Sequence, residues 1–128
     1  MATDVIPVVA AVDDDFRVRE SIKSLLESAG YAPLTFSSAE EFLQSGTLGI
    51  ATCVISDVRM PGMDGIELQR RIRLERPMLP VILISAHYND EVRQTAIDEG
   101  AVDVVYKPFD ATELLKIIQS ALINSQEK

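Results

Sequence analysis

The sequence predicts an α/β domain built on a five-stranded parallel sheet with helices on both faces, in the strand order 2-1-3-4-5. Two observations carry this expectation. Five short apolar runs recur along the chain, at Val5 to Val12, Ala32 to Phe36, Ala51 to Ile55, Pro80 to Ile84 and Val102 to Tyr106, and continuous runs of this length suit strands covered on both faces. Between them lie segments of helical period, and such alternation winds a sheet on both sides through right-handed crossovers. For five units of this kind the order 2-1-3-4-5 is a common solution, and ligands then bind beyond the carboxyl ends of the strands, near the switch point between strands one and three.

Each element has its own signals. The first run ends in three aspartates, in the stretch VVAAVDDDF, and the third of them, Asp15, stands where the first helix needs an N-cap. In that helix Val18, Ile22, Leu25 and Leu26 repeat at i, i+4, i+7 and i+8, and Gly30 beyond its end suits a position of positive φ. The second run contains Pro33, whose missing N–H does least damage on an edge strand. Ser38-Ala39-Glu40-Glu41 has the form of a capping box ahead of Phe42 and Leu43, which starts the second helix. The third helix is expected at about Gly65 to Leu74 and the fourth at about Tyr88 to Glu99, with Gly100 closing it. Asp110-Ala111-Thr112-Glu113 opens the last helix, in which Leu114, Ile118, Ala121 and Leu122 share a face. Asn124 to Lys128 reads as a frayed tail, and the chain shows no internal repeat, low-complexity segment or linker.

Composition narrows the classes. At 128 residues the chain is expected to form one domain over residues 1–128, with its core at about 6–123, removing about two-thirds of its unfolded surface from water. Hydrophobic residues at 47% and charged residues at 25% fit a globular protein rather than a disordered or membrane one. The single Cys53 cannot form an internal disulfide and is expected in the core, and the N-terminal stretch is too short and too interrupted for a membrane span. A cytoplasmic location follows as the expectation. A net charge of −8 argues against direct nucleic-acid binding, which needs a basic face. The densest basic segment, Arg70, Arg71, Arg73 and Arg76, is interleaved with Ile72, Leu74 and Glu75 and reads as the solvated face of a helix.

The strand ends carry the chemistry. Strand one ends at Asp13, Asp14 and Asp15, strand three at Asp57, strand four at Ser85 and strand five at Lys107. In the order 2-1-3-4-5 these four strands are neighbours, so carboxylates, a hydroxyl and an ammonium meet at one rim. Carboxylates clustered without a cation repel one another, whereas hard oxygen ligands at an open site suit a Mg²⁺-class ion. Each residue also has a plainer role open to it: a turn or cap for an aspartate, a local hydrogen bond for Ser85, a stem laid over apolar surface for Lys107. It is their coincidence on adjacent strand ends that favours function.

The motifs VDDD, ISDVRMPGMDGIEL, VILISA and YKPF, in this order and spacing, resemble the receiver domain of bacterial two-component response regulators. The likeness runs from about Val8 to Leu122 and implies a flavodoxin-like fold. It implies that Asp57 accepts a phosphoryl group from a sensor histidine kinase, and that Asp13, Asp14, Asp57 and the main-chain carbonyl of Arg59 hold Mg²⁺. Ser85 and Lys107 would bind the phosphoryl oxygens, and Lys107-Pro108 would be a cis peptide. Such a chain is a phosphoacceptor signalling domain whose only chemistry is its own phosphorylation and dephosphorylation, acting on a downstream protein. Carboxylate attack on phosphorus needs in-line positioning and charge neutralisation, so a metal, an ammonium and a hydroxyl suffice without a general base.

One position departs from the family. Many receivers carry Tyr or Phe where this chain has Val104, and the nearby aromatic is Tyr106, on the same strand parity and equally suited to packing. Without the ring at Val104, the response is expected to act through the loop after Ser85, with the chain a monomer or a weak dimer. Arg59 and His87, each two residues beyond a rim residue, flank the phosphoryl site and can limit water there, a plain surface role for His87 being the alternative. Two other functions compete. A metal-dependent aspartyl-phosphate phosphohydrolase of the haloacid dehalogenase type resembles the site in its nucleophile, but it carries a second acid where this chain has Arg59. A nucleotide binder of flavodoxin-like fold lacks support, since neither a P-loop nor G-x-G-x-x-G is present. VDDDFRVRE, FSSAEEFL and AVDVVYKPF look closest to receivers that precede a helix-turn-helix domain, so the chain is expected to be a single-domain regulator or a piece ending after its fifth helix.

Overall fold

The computed structural model describes residues 6–126. Its elements are β1 (Val8–Val12), α1 (Phe16–Ser28), β2 (Ala32–Phe36), α2 (Ala39–Gln44), β3 (Cys53–Asp57), α3 (Gly65–Glu75), β4 (Val81–Ser85), α4 (Asp90–Asp98), β5 (Asp103–Tyr106) and α5 (Ala111–Gln126), with a short 3-10 turn at Thr47–Gly49. All four pairings are parallel, in the order β2-β1-β3-β4-β5. Pro33 lies on β2, an edge strand, as its missing donor requires.

Strand parity divides the core in two. Val9, Ala11, Cys53, Ile55, Ile82, Ile84 and Val105 pack with Ile22 and Leu26 of α1 and Leu114, Ile118 and Leu122 of α5. Ala10, Val12, Val54, Val81, Leu83 and Val104 face the other way, onto Phe42 of α2, Leu68 and Ile72 of α3 and Ala96 of α4. With both faces covered, the strands lose their polar alternation, which is why they read as continuous apolar runs. Each fully buried Leu or Ile contributes about 1.5–3 kcal/mol.

The boundaries differ from the sequence expectation in specific places. β1 starts at Val8 because Pro7 precedes it, and Val5 lies outside the described residues. β3 starts at Cys53, two residues after the start of its apolar run and opposite Val9 of β1, and ends on Asp57 as expected, with Ser56 and Asp57 paired to Leu83 and Ile84 of β4. α4 begins at Asp90, not Tyr88: Asn89 caps it, its side chain accepting from Val92 N, so Tyr88 falls in the loop. The box at Ser38 is half formed. Ser38 Oγ accepts from Glu41 N, but the Glu41 carboxylate turns to Ser37. A complete box instead starts α3, between Asp64 and Glu67. α5 continues to Gln126, past the expected fraying point at Asn124, while residues 127–128 lie outside the described chain. Gly30 and Gly100 do adopt positive φ, 88° and 108°.

The basic segment is only partly a solvated face. Arg70 pairs with Glu99 at 2.6 Å and Arg71 with Glu75 at 3.4 Å. Arg76, however, turns inward and donates to the carbonyls of Leu48 and Ala51 at 2.9 and 2.7 Å, closing the entry to β3. Cys53 is fully buried, and burial pushes its thiol up to about 12.

Candidate functional site

The carboxyl ends of β1, β3, β4 and β5 form one rim, and the strand order sets what meets there. Asp13 follows β1, Asp57 and Ser85 are the last residues of β3 and β4, and Lys107 follows β5. The Lys107 ammonium reaches across β4 to the acids, with Nζ 3.0 Å from Asp13 Oδ2 and 3.3 Å from Asp57 Oδ2. Asp13, Asp14 and Asp57 each place a carboxylate oxygen within 4.8 Å of the others. Asp14 is exposed, whereas Asp13 is 0% and Asp57 6% exposed.

Burying two like charges is costly, and the electrostatics record it. Burial, then the neighbouring Asp13 charge, raises Asp57 above the usual carboxylate range, against the pull of Lys107. For Lys107 burial acts to lower the pKa, but Asp13 and then Asp57 together hold it above its ordinary value. Asp13 Oδ1 accepts from Asp15 N at 2.8 Å. Its Oδ2 pairs with the Lys107 ammonium at 3.0 Å, and no other donor reaches it among the described residues. Three converging carboxylates, two of them buried and sharing the Lys107 ammonium, suit a hard divalent cation of the Mg²⁺ class.

The local chain explains why these groups sit so close. Arg19 of α1 donates to the Asp13 carbonyl at 2.8 Å, fixing the turn out of β1. Gly65, at the start of α3, packs directly on the backbone of Asp57, and any Cβ there would overlap the Asp57 carbonyl oxygen. Asp15 caps α1 as expected, accepting from Arg17 N at 2.9 Å. The Lys107–Pro108 peptide is cis. The sequence reading missed Arg19 and Gly65. The spacing D-G-I-E offered a signal for Gly65, since a glycine right after a cap residue has no helix-forming purpose.

The other half of the rim is arranged differently. Ser85 Oγ does not point to Asp57 or Lys107: it donates to His87 O at 3.0 Å and accepts from His87 N at 3.1 Å, closed on its own loop. The His87 side chain is exposed and makes no hydrogen bond among the described residues. Arg59 is likewise exposed; its backbone N lies 3.4 Å from Asp57 Oδ1. Val104 is 4% exposed in the cluster facing α2, α3 and α4. Tyr106 packs against the same cluster, its ring centroid 4.9 Å from that of Tyr88. The Tyr106 hydroxyl is buried with no hydrogen-bond partner among the described residues.

The site is a buried carboxylate at the switch point of a doubly wound parallel sheet, with two further acids and an ammonium around it. Residues 9–119 match the response regulator receiver domain family, and the chain belongs to that family. It is 38% identical over 117 residues to the DNA-binding transcriptional regulator NtrC of Klebsiella pneumoniae, covering 91% of this chain and 25% of that protein. It is also 38% identical over 114 residues to the transcriptional regulatory protein FixJ of Bradyrhizobium diazoefficiens, covering 89% of this chain and 56% of that protein. The chain thus spans a quarter to about half the length of these relatives. Among solved structures, a response regulator receiver domain protein from Clostridium thermocellum superposes with a TM-score of 0.89 at 30% identity, over 94% of this chain and 98% of that one.

Proposed function

We propose that Asp57 is the phosphoacceptor of this receiver domain, that its phosphorylation by a sensor histidine kinase is Mg²⁺-dependent, and that the phosphorylated chain controls a downstream protein or output domain. The observation that carries the reading is the half-buried meeting of Asp57, Asp13, Asp14 and Lys107 on adjacent strand ends. Asp13, Asp14, Asp57 and the Arg59 carbonyl would hold the ion. When bound, Mg²⁺ supplies charge neutralisation for the phosphoryl oxygens.

The chain's own residues perform the rest. An Asp57 carboxylate oxygen forms the new P–O bond as the donor's P–N bond breaks and the freed imidazole takes a proton from solvent. Lys107 leaves its pairing with Asp57 to contact a phosphoryl oxygen, and Ser85 exchanges its His87 bonds for another. Releasing Ser85 from His87 frees the loop that carries Tyr88, so the output passes through that loop rather than through the small Val104 side chain. The exposed side chains of Arg59 and His87 stand at the mouth and limit water. The relatives' names describe regulators of transcription, so the partner is a regulatory protein or a domain of that kind, in the cytoplasm. With a net charge of −8 this chain itself binds no DNA and self-associates weakly. Among the described residues, no helix is long and apolar enough to cross a membrane.

Intact-mass measurement after incubation with acetyl phosphate tests the reading. One base-labile phosphoryl adduct should form with Mg²⁺ and none with a chelator, and Asp57→Asn should abolish it. An adduct retained in Asp57→Asn contradicts the assignment. Steady turnover of small phosphate esters would favour a phosphohydrolase instead.

A further inference from the structure

The segment between β3 and α3, residues 58–64, carries the Arg59 carbonyl, and it is held unevenly. Its ends are tied: Val58 N donates to Ile84 O at 2.8 Å, and Gly65 N donates to Val58 O at 2.9 Å. Asp64 bonds into the first turn of α3, its N donating to Glu67 Oε1 at 3.0 Å and its carbonyl accepting from Leu68 N at 2.9 Å, and over 59–63 one backbone group alone among the described residues bonds outside the stretch 57–65. Met63 N donates to Glu40 Oε2 at 2.9 Å, across a sequence separation of 23.

The seat for that carboxylate is specific. Gly62 has a φ of 76°, a left-handed conformation, and a Cβ there would lie 2.6 Å from Glu40 Oε2. Gly62 therefore serves the turn and leaves the notch that Glu40 fills. The base of the contact is rigid, because α2 anchors through Ala39 and Phe42, both 0% exposed. The Met63 N–H bond is also the largest influence holding Glu40 below the usual carboxylate range. Glu40 does not belong to the three-carboxylate cluster itself.

We propose that Glu40 is a positioning residue for the metal site, a latch from α2 that holds the β3–α3 segment so that the Arg59 carbonyl is already placed when Mg²⁺ arrives. The inference rests on the reading that Asp13, Asp14, Asp57 and the Arg59 carbonyl hold that ion. Without the latch the segment must be ordered during binding, and that cost appears as lost affinity. The latch works through an oxygen acceptor, which glutamine also presents and alanine lacks.

The experiment is a MgCl₂ titration of the full chain, followed by backbone amide chemical shifts in the parent, Glu40→Gln and Glu40→Ala, with the exchange rate of the Met63 amide measured in each. Glu40→Ala should bind Mg²⁺ about 10-fold more weakly, as loss of an outer-shell partner typically does, and its Met63 amide should exchange faster. Glu40→Gln should stay close to the parent in both. Acetyl phosphate labelling of Glu40→Ala should be slow at low Mg²⁺ and recover at saturating Mg²⁺. Equal Mg²⁺ affinity in Glu40→Ala and parent overturns the latch. So does an equal loss in Glu40→Gln, which would make the effect one of charge at a distance. A parent that binds no Mg²⁺ instead overturns the proposed metal set, and this inference with it.

Discussion

The two halves of the rim are built on opposite terms. On the β1–β3 side the two buried acids are held by other elements: Arg19 on the Asp13 carbonyl, Gly65 against the Asp57 backbone, Lys107 on both carboxylates. On the β4–β5 side Lys107 reaches over to the acids, while the groups of the β4 loop and Tyr106 have no such partner from across the rim among the described residues. Ser85 is bonded to its own loop, and the Tyr106 hydroxyl has no partner among the described residues. Under the proposed function, the first half would meet the cation and phosphoryl group with little ordering left to do. The second half has bonds that a new acceptor can replace, which is what a two-state element requires. A receiver needs both, and here they sit on adjacent strands.

The largest way to break this contrast is to disturb the preorganised half. Gly65→Ala forces a methyl into the Asp57 carbonyl, and urea denaturation should show a loss of about 2–3 kcal/mol, the upper range for overpacking. Labelling by acetyl phosphate should fall with it. If Gly65→Ala is neutral, the close packing of α3 on Asp57 is not what fixes the acid.

Removing the strained charge should act the other way. In Asp57→Asn, Lys107 keeps Asp13, while the repulsion between the two acids disappears. Without Mg²⁺, thermal unfolding at neutral pH should rise by about 3–5 °C, the shift that ~1 kcal/mol produces in a domain of this size. The sign follows from the raised folded pKa. An acid raised on folding costs stability above that pKa, and the cost vanishes below the unfolded value near 3.8. The advantage of Asp57→Asn should therefore be full at neutral pH and shrink as the pH falls towards that value.

Changes on the β4–β5 side should cost less and alter the response more. Ser85→Ala removes two local hydrogen bonds and should lower stability by about 1 kcal/mol, leave Mg²⁺ binding intact and blunt the response to phosphorylation. Smallest of all is Tyr106→Phe. Deleting a buried hydroxyl that lacks a partner should be neutral or stabilising by up to about 1 kcal/mol in urea denaturation. A loss there would mean that the hydroxyl has a partner, bound water included.

Much of this was legible in the chain. Five apolar runs were enough for the sheet, and the polar residue closing each of four runs was enough to assemble Asp13, Asp57, Ser85 and Lys107. Periodicity was blind where side chains rather than hydrophobicity set an end. Asn89 caps α4 and expels Tyr88, and β3 begins at Cys53, where it pairs with Val9 of β1, not at the start of its apolar run. Partners distant in sequence were equally invisible. Nothing local in the chain tells that Arg76 turns in to the Leu48 and Ala51 carbonyls, or that Glu40 takes the Met63 N–H. The orientation of Ser85 was also beyond reach, since a hydroxyl at a strand end can bond its own loop or a ligand with the same residue type.

Amide hydrogen exchange before and after phosphorylation, in the parent and in Ser85→Ala, tests the division of the rim most directly. With a phosphoryl adduct verified by mass, exchange in the parent should change at residues 85–88 and at Tyr106, while β1 and β3 stay protected as before. In Ser85→Ala the adduct should still form, and the change at residues 86–88 should be lost. An equal response in the two chains, or a response confined to β1 and β3, would contradict the account.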